Sequence, residues 1–523
     1  MKTWWFCIGF GIYLIGTLLG CQSLPPKAQM GQDNLLPHYV VIDRDGFARG
    51  PDHEKFSTAA LETHLRNTMF RELTLAAERI QNCSPKPSCS TPLKVLVFVH
   101  GGMNGYDDDF ERMRRLMEQD EGTQLPGLLS PSRTNYFPIF INWNSEPVNA
   151  TIDDLFNIRF AHRQPLWLTI PTAPFVMLSR VLKSVANVPV SLLHIGYNVK
   201  EAFAGAIEAG DSHVCAIADS LAYGTLLPFY TVTTPLLEGF GTPAWDIMKR
   251  RAELTVATRL PEDTEHAREG AARTLVRMLM QHGFQLPVKM EVTLVGHSMG
   301  SIILNRLLPL INANANSFVR HIIYLAPAAN LEDVNDYVIP YLHGHDETDF
   351  SSFMLNRRDE AREIAKGGWV WFLPRGSLLA WIDTFFETTT TLHEETAGRI
   401  TNINSFFACD WQDRQSAGTC ADMASLLTEG QPATQFGYRE RVMKATSPFP
   451  PGRVHLYEAV RPLDKQSAAQ EHGDFTQSRY LGHVLCRVNQ GAFEDQLCTT
   501  TLSRYSPIED TRPRVCGIPM GLR

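Results

Sequence analysis

The chain of 523 residues is 44% hydrophobic and 20% charged, the make-up of a folded protein with a large core and not of a disordered one. Its formal net charge is -8, and no run of Lys or Arg forms a stripe, so a phosphate backbone would gain no electrostatic help in binding. Nucleic acid is therefore set aside as a partner.

The chain opens on "MKTWWFCIGFGIYLIGTLLGC", one cation at Lys2 and then an apolar stretch ending in small residues, the pattern of a secretory signal peptide. "LLGC" at 18 to 21 resembles the lipobox of bacterial lipoproteins. That resemblance implies a signal peptide over 1–20, a lipid on Cys21 that anchors the chain to a membrane, and a polar linker over 21–36. With Gln22 and not Asp after the Cys, it also implies a cell-envelope lipoprotein on the periplasmic side of the outer membrane. An uncleaved N-terminal helix or a plain signal peptide is the alternative.

Setting aside Cys7 and Cys21, the remaining cysteines stand at 83, 89, 215, 409, 420, 486, 498 and 516. An even number in an exported chain argues for disulfides. Cys83 with Cys89, Cys409 with Cys420 and Cys486 with Cys498 are close in sequence, which leaves Cys215 and Cys516 for a long-range bridge. No CxxC or HxxxH spacing lies near them, so a metal site is not expected.

In chain order, "HYVVIDRDGFARG" reads as two short β runs around an Asp-Gly turn, and 57–81 reads as an amphipathic helix. "KVLVFVH" (94–100), "FPIFINW" (137–143), "VTLVGH" (292–297), "HIIYLA" (321–326), "SSFMLN" (351–356) and "VHLYEAV" (454–460) are short apolar runs suited to strands covered on both faces. Helical patterns lie between several of them, notably 268–284 and 299–312. Strands alternating with helices predict an α/β fold around a mostly parallel sheet. Residues 146–265 interrupt the rhythm as a helical insertion, a lid or a wall over a cleft or else ordinary buried helices. Its apolar stretches are expected to be broken at Pro171, Pro174, Pro189, Pro228 and Pro235, too short to cross a bilayer.

Chemistry concentrates in two places. "GHSMG" at 296 to 300 fits G-x-S-x-G between a predicted strand and a predicted helix. A serine at such a turn takes a strained backbone, and positions two before and two after leave no room for a Cβ, a demand met by Gly296 and Gly300. Upstream, "VFVHGGMNG" (97–105) runs a strand into His100, Gly101 and Gly102. Backbone amides of Gly102 or Met103, together with that of Met299, would form an oxyanion hole for a tetrahedral intermediate. His100 itself is expected to be structural.

These motifs resemble those of the α/β-hydrolase superfamily of serine esterases and lipases over about 94–475. The resemblance implies an acid after the strand "SSFMLN" and a His after the last core strand. Asp359 stands at the first position, with Glu360, Asp333, Asp336 and Asp383 as alternates. His472 in "QEHGDF" stands at the second, ahead of His455, His483 and His393. The domain then spans 37–523, with Ser298, His472 and Asp359 as catalytic residues. The implied activity is hydrolysis of a small-molecule or lipid ester through an acyl-enzyme, with no metal and no organic cofactor required. An acyltransferase using the same residues, or an inactive hydrolase-fold binding protein of the cell envelope, is the alternative.

Overall fold

Each of the apolar runs becomes a strand of one sheet in the computed structural model. It describes residues 34–83, 92–102, 105–118, 127–130, 136–159, 162–208, 213–214, 216–217, 220–221, 226–260, 268–312, 318–363, 374–387, 394–405, 407–408, 421–422, 427–429, 438–443, 450, 452–459 and 471–488. The residues expected to form the signal peptide and lipobox, including Cys21, lie outside these, as do Met103 and most of the cysteines.

Strand β1 (Tyr39–Ile42) turns at Asp43 to Gly46 into the antiparallel β2 (Ala48–Arg49). Gly46 makes that turn with φ +86, a conformation that costs glycine nothing. After helices α1 (Thr58–Leu65) and α2 (Arg71–Cys83) come β3 (Leu93–Val99), α3 (Tyr106–Met117) and β4 (Tyr136–Trp143). Val95, Leu96, Val97 and Val99 of β3 are fully buried, as expected of a parallel strand covered on both faces. Each such side chain contributes about 1.5–3 kcal/mol of burial energy.

The chain then leaves the sheet for a helical excursion. Helix α4 (Pro147–Phe156), the two-residue strands β5 (Ile158–Arg159) and β6 (His162–Arg163), and the long helices α5 (Leu166–Glu208) and α6 (Leu227–Val256) follow in order. The predicted breaks at proline do not occur. Pro171, Pro174 and Pro189 lie inside α5, Pro235 lies inside α6, and Pro228 sits in the first turn of α6. Proline frees carbonyls one turn back, and hydroxyls in these turns donate to neighbouring ones: Thr172 to the Leu168 carbonyl at 2.6 Å and Thr234 to that of Tyr230 at 2.6 Å.

Beyond the excursion the sheet resumes with α7 (Ala271–Gly283), β7 (Met290–His297), α8 (Gly300–Asn312), β8 (Val319–Leu325), β9 (Asp349–Met354) and α9 (Arg357–Arg362). A small ribbon, β10 (Phe407–Ala408) with β11 (Ala421–Asp422), precedes β12 (Leu427–Glu429), β13 (Tyr438–Met443), β14 (Val454–Ala459) and α10 (Ser478–Val488). The strand order is β12-β13-β14-β9-β8-β7-β3-β4-β1-β2. From β14 to β1 every neighbouring pair is parallel. Only the pairs β1–β2 at one edge and β14–β13 and β13–β12 at the other are antiparallel. The molecule is thus an α/β protein with a mostly parallel, mixed central sheet flanked by helices. Strand β7 lies between β3 and β8, so the residues following β3, β7, β9 and β14 all emerge at the carboxyl edge, where such sheets carry their sites.

Candidate active site

Ser298 follows β7 with φ +49, in the left-handed region that costs a serine about 1–3 kcal/mol and persists only where its surroundings enforce it. The surroundings do so here. Its N–H donates to the Leu325 carbonyl at 2.9 Å, and its carbonyl accepts from the N–H of Ala328 at 3.0 Å, the N–H of Ser301 at 3.1 Å and the Ser301 hydroxyl at 2.6 Å. The flanking glycines meet the steric demand. A Cβ at Gly300 would lie 2.2 Å from the Val99 carbonyl oxygen, and one at Gly296 would lie 2.9 Å from the Ser301 nitrogen.

The glycine loop after β3 presses on this turn. A Cβ on Gly101 would come within 2.7 Å of the Ser298 Cβ, and one on Gly102 within 2.8 Å of the Met299 sulfur. Bare backbone is therefore what lies beside the serine. His100 belongs to the scaffold: its Nδ1 donates to the Gly101 carbonyl at 2.8 Å and its Nε2 accepts from the Trp143 N–H at 3.0 Å. Ser145 donates to the same Gly101 carbonyl at 3.0 Å.

His472 opens a 3-10 turn, His472–Thr476, capped by a reciprocal Glu471 and Asp474 box. Two main-chain bonds fix it from opposite elements. Its carbonyl accepts from His297 Nε2 at 3.0 Å, and its N–H donates to Glu363 Oε1 at 3.1 Å. The rings of His297 and His472 are 5.0 Å apart, so the residue before the nucleophile touches the expected base. Both ring nitrogens of His472 and the Ser298 hydroxyl are buried without a hydrogen-bond partner. The serine-to-histidine bond is thus not made here, an ordinary condition of a site without substrate. Burial pushes the His472 imidazole down to about 4 and holds that of His297 well below its usual value.

The acids separate clearly. Asp359 sits in the first turn of α9, where its N–H and one carboxylate oxygen are bonded to the Asn356 side chain at 2.9 and 2.8 Å. It makes no bond to the His472 ring. Asp383 is spoken for by the Thr396 N–H and hydroxyl, Arg399 and Asn402, at 2.8 to 3.1 Å, and Glu360 by Arg399 at 2.6 Å. The carboxylate that touches His472 is Glu363, whose second oxygen, Oε2, has no partner. Burial raises Glu363 to about 8. Sequence reasoning passed over it. The available signal was its place four residues beyond Asp359, in the same acidic segment after β9.

Cys486 is disulfide-bonded, and its expected partner Cys498 lies outside the described residues. Among the described residues no group of three or more His, Cys, Asp or Glu is placed to hold a metal ion. A separate polar cavity of about 260 Å³ lies at the ends of β1 and β4, bordered by Asp43, Arg49, Asn144, Asp153 and Arg251 among others. Neither Ser298 nor His472 lines it. No protein-family description, curated protein or solved structure matches the chain.

Proposed function

We propose that the chain is a serine hydrolase of α/β-hydrolase type acting on carboxylic esters, held at the cell envelope by a lipid on Cys21. The observation that carries this reading is Ser298 itself, forced into a left-handed conformation between two obligatory glycines, with an unpartnered hydroxyl and, one residue before it, a histidine bonded to the His472 main chain. A structural serine has no need of that strain.

In the proposed reaction Ser298 Oγ attacks the ester carbonyl as His472 takes its proton. The amides of Met299 and of Gly102 or Met103 receive the oxyanion. The C–O bond breaks, His472 returns the proton to the leaving alcohol, and a water deprotonated by His472 then releases the acid. For the third member we assign Glu363 in preference to Asp359. One of its oxygens is already on the His472 main chain, and the other is free to meet Nδ1 of that residue. Together they would fix the tautomer with Nε2 toward the serine.

One observation favours a second reading, an inactive scaffold: Ser298 is 0% exposed, so a substrate enters only if the cover moves. Mass mapping after treatment with a fluorophosphonate separates the two. A label on the Ser298 peptide, with loss of ester turnover in Ser298→Ala, is the expected result. An unlabelled Ser298 together with unchanged turnover in Ser298→Ala removes the proposal.

A further inference from the structure

Among the described residues every exposed large hydrophobic except Leu75, Val148 and Phe284 lies between 166 and 236. They are not scattered. On α5 the positions Trp167, Pro171, Phe175, Leu178, Leu182, Val185, Pro189, Leu193 and Tyr197 recur every three or four residues, which places them on one face of a helix. Trp167, Phe175 and Leu193 are 77%, 74% and 76% exposed. On α6, Phe229, Val232 and Leu236 add to the same kind of surface. A stripe of this period ordinarily faces a core, and a patch this size on a folded protein marks a binding surface.

The opposite face of α5 explains why the stripe stays outside. Arg180 pairs with Asp154 of α4, the Thr169 hydroxyl donates to the Phe156 carbonyl at 2.7 Å, and Gly239 of α6 packs on Val181. Further along, Glu201 pairs with Arg357 of α9 at 2.8 Å and Asn198 accepts from Arg399 at 3.2 Å, with Ile195 and Ala206 buried on either side. The helix is thus bolted to the body along its length. It cannot roll its apolar face inward.

We infer that this face of α5 and α6 docks flat onto an anionic lipid bilayer, in addition to any tether at the N-terminus. Hydropathy selects that occupant, since α5 is apolar enough for a membrane and only 11% of its most apolar window is buried, and the described charges at its rim give the sign. Among the described side chains from 166 to 236 the exposed charges are Lys183 and Lys200, Arg180 is paired with Asp154 and Glu201 is buried, while Glu208, Asp211 and Asp219 lie outside the described side chains. Cations on the rim of an apolar face attract anionic headgroups at roughly 1 kcal/mol each. By length and composition α5 could cross a membrane, but its contacts with α4, α6 and α9 along the opposite face hold it against the folded body, so the helix lies in the interface and does not span it. The stripe from Trp167 to Tyr197 makes a contact about 45 Å long at 1.5 Å per residue.

The test uses the full chain with phosphatidylcholine vesicles, with and without phosphatidylglycerol. Brominated lipid should quench a component of the tryptophan emission that is missing in Trp167→Phe, a signal that a tether at the N-terminus alone does not give. Combining Trp167→Ser, Phe175→Ser and Leu193→Ser, all at exposed sites, should leave the melting temperature unchanged and weaken vesicle partitioning about tenfold or more. Lys183→Ala with Lys200→Ala should lose about tenfold on the anionic vesicles and nothing on the neutral ones. An unquenched Trp167, or equal partitioning of the triple-serine variant, overturns the proposal. So does a concentration-dependent dimer that the same variant abolishes, since that gives the face to a second copy of the chain.

Discussion

His297 donates from Nε2 to the main-chain carbonyl of His472 across 3.0 Å, so the residue before Ser298 holds the segment that carries the base. The donor assignment makes His297 the neutral Nε2-protonated tautomer, in keeping with a burial that holds its pKa well down. His297→Ala should let that segment drift. A misplacement of about 1 Å at a catalytic group costs roughly 100-fold, so kcat should fall by about that much with KM little changed. His297→Gln keeps a donor and should retain more. Equal kcat values for Ala and wild type would mean that the bond positions nothing.

The acid is decided by three substitutions. Glu363→Gln should lower kcat by about 10³-fold or more, because an amide cannot stabilise the imidazolium formed at His472. Asp359→Asn should stay within about tenfold of wild type, since that carboxylate serves Asn356. Asp383→Asn leaves Arg399 less well neutralised in a buried network, so it should cost about 3 kcal/mol of stability while leaving turnover per folded molecule intact. A crippled Asp359→Asn beside a healthy Glu363→Gln returns the role to the turn named from the sequence.

Backbone strain at the serine predicts a stability effect that runs against activity. Ser298→Gly removes the penalty of φ +49 and should stabilise the fold by about 1 kcal/mol relative to Ser298→Ala, both variants being inactive. Gly300→Ala should lose roughly 3 kcal/mol or more, because the new Cβ meets the Val99 carbonyl at 2.2 Å and main chain does not yield cheaply. Gly196→Ala in α5, where nothing lies within 4 Å, should gain about 1 kcal/mol from helix propensity. Urea melts of the four variants beside wild type give the ranking.

The parallel strands were legible because a strand covered on both faces is apolar over most of its length, as β3 is over 95–99 and β7 over most of its positions. The serine turn was legible because its glycines follow from local sterics. Strand β13, "YRERVM", was not, since its alternating charges read as loop and its pairing with β12 and β14 is made by main-chain groups that leave no mark in the sequence. Glu363 escaped for a different reason: its contact with His472 spans 109 residues, and nothing local marks it apart from Asp359. The continuity of α5 through three prolines was also hidden, because proline is read locally as a break, whereas here packing of the helix against α4, α6 and α9 holds it through all three.

The pH dependence follows from the two groups that meet at His472. Its folded pKa, about 4, lies below the ordinary 6.5, so the folded state binds fewer protons than the unfolded one in between. That contribution to stability is full above about pH 6.5 and is lost as pH falls toward 4, on the order of 3 kcal/mol. Glu363 has the opposite sign. Its folded pKa, about 8, lies above the ordinary 4.5, so its contribution is full below about pH 4.5 and is lost as pH rises through 8. Turnover should track the second group, because only ionised Glu363 can pair with an imidazolium. We expect kcat/KM to keep rising to about pH 8, with the base itself unprotonated down to about pH 4. In Glu363→Gln the limb near 8 should vanish, and the variant should be more stable than wild type at pH 9 but not at pH 4. A single limb near 6.5 in both proteins would mean that neither burial nor Glu363 sets the titration of the base.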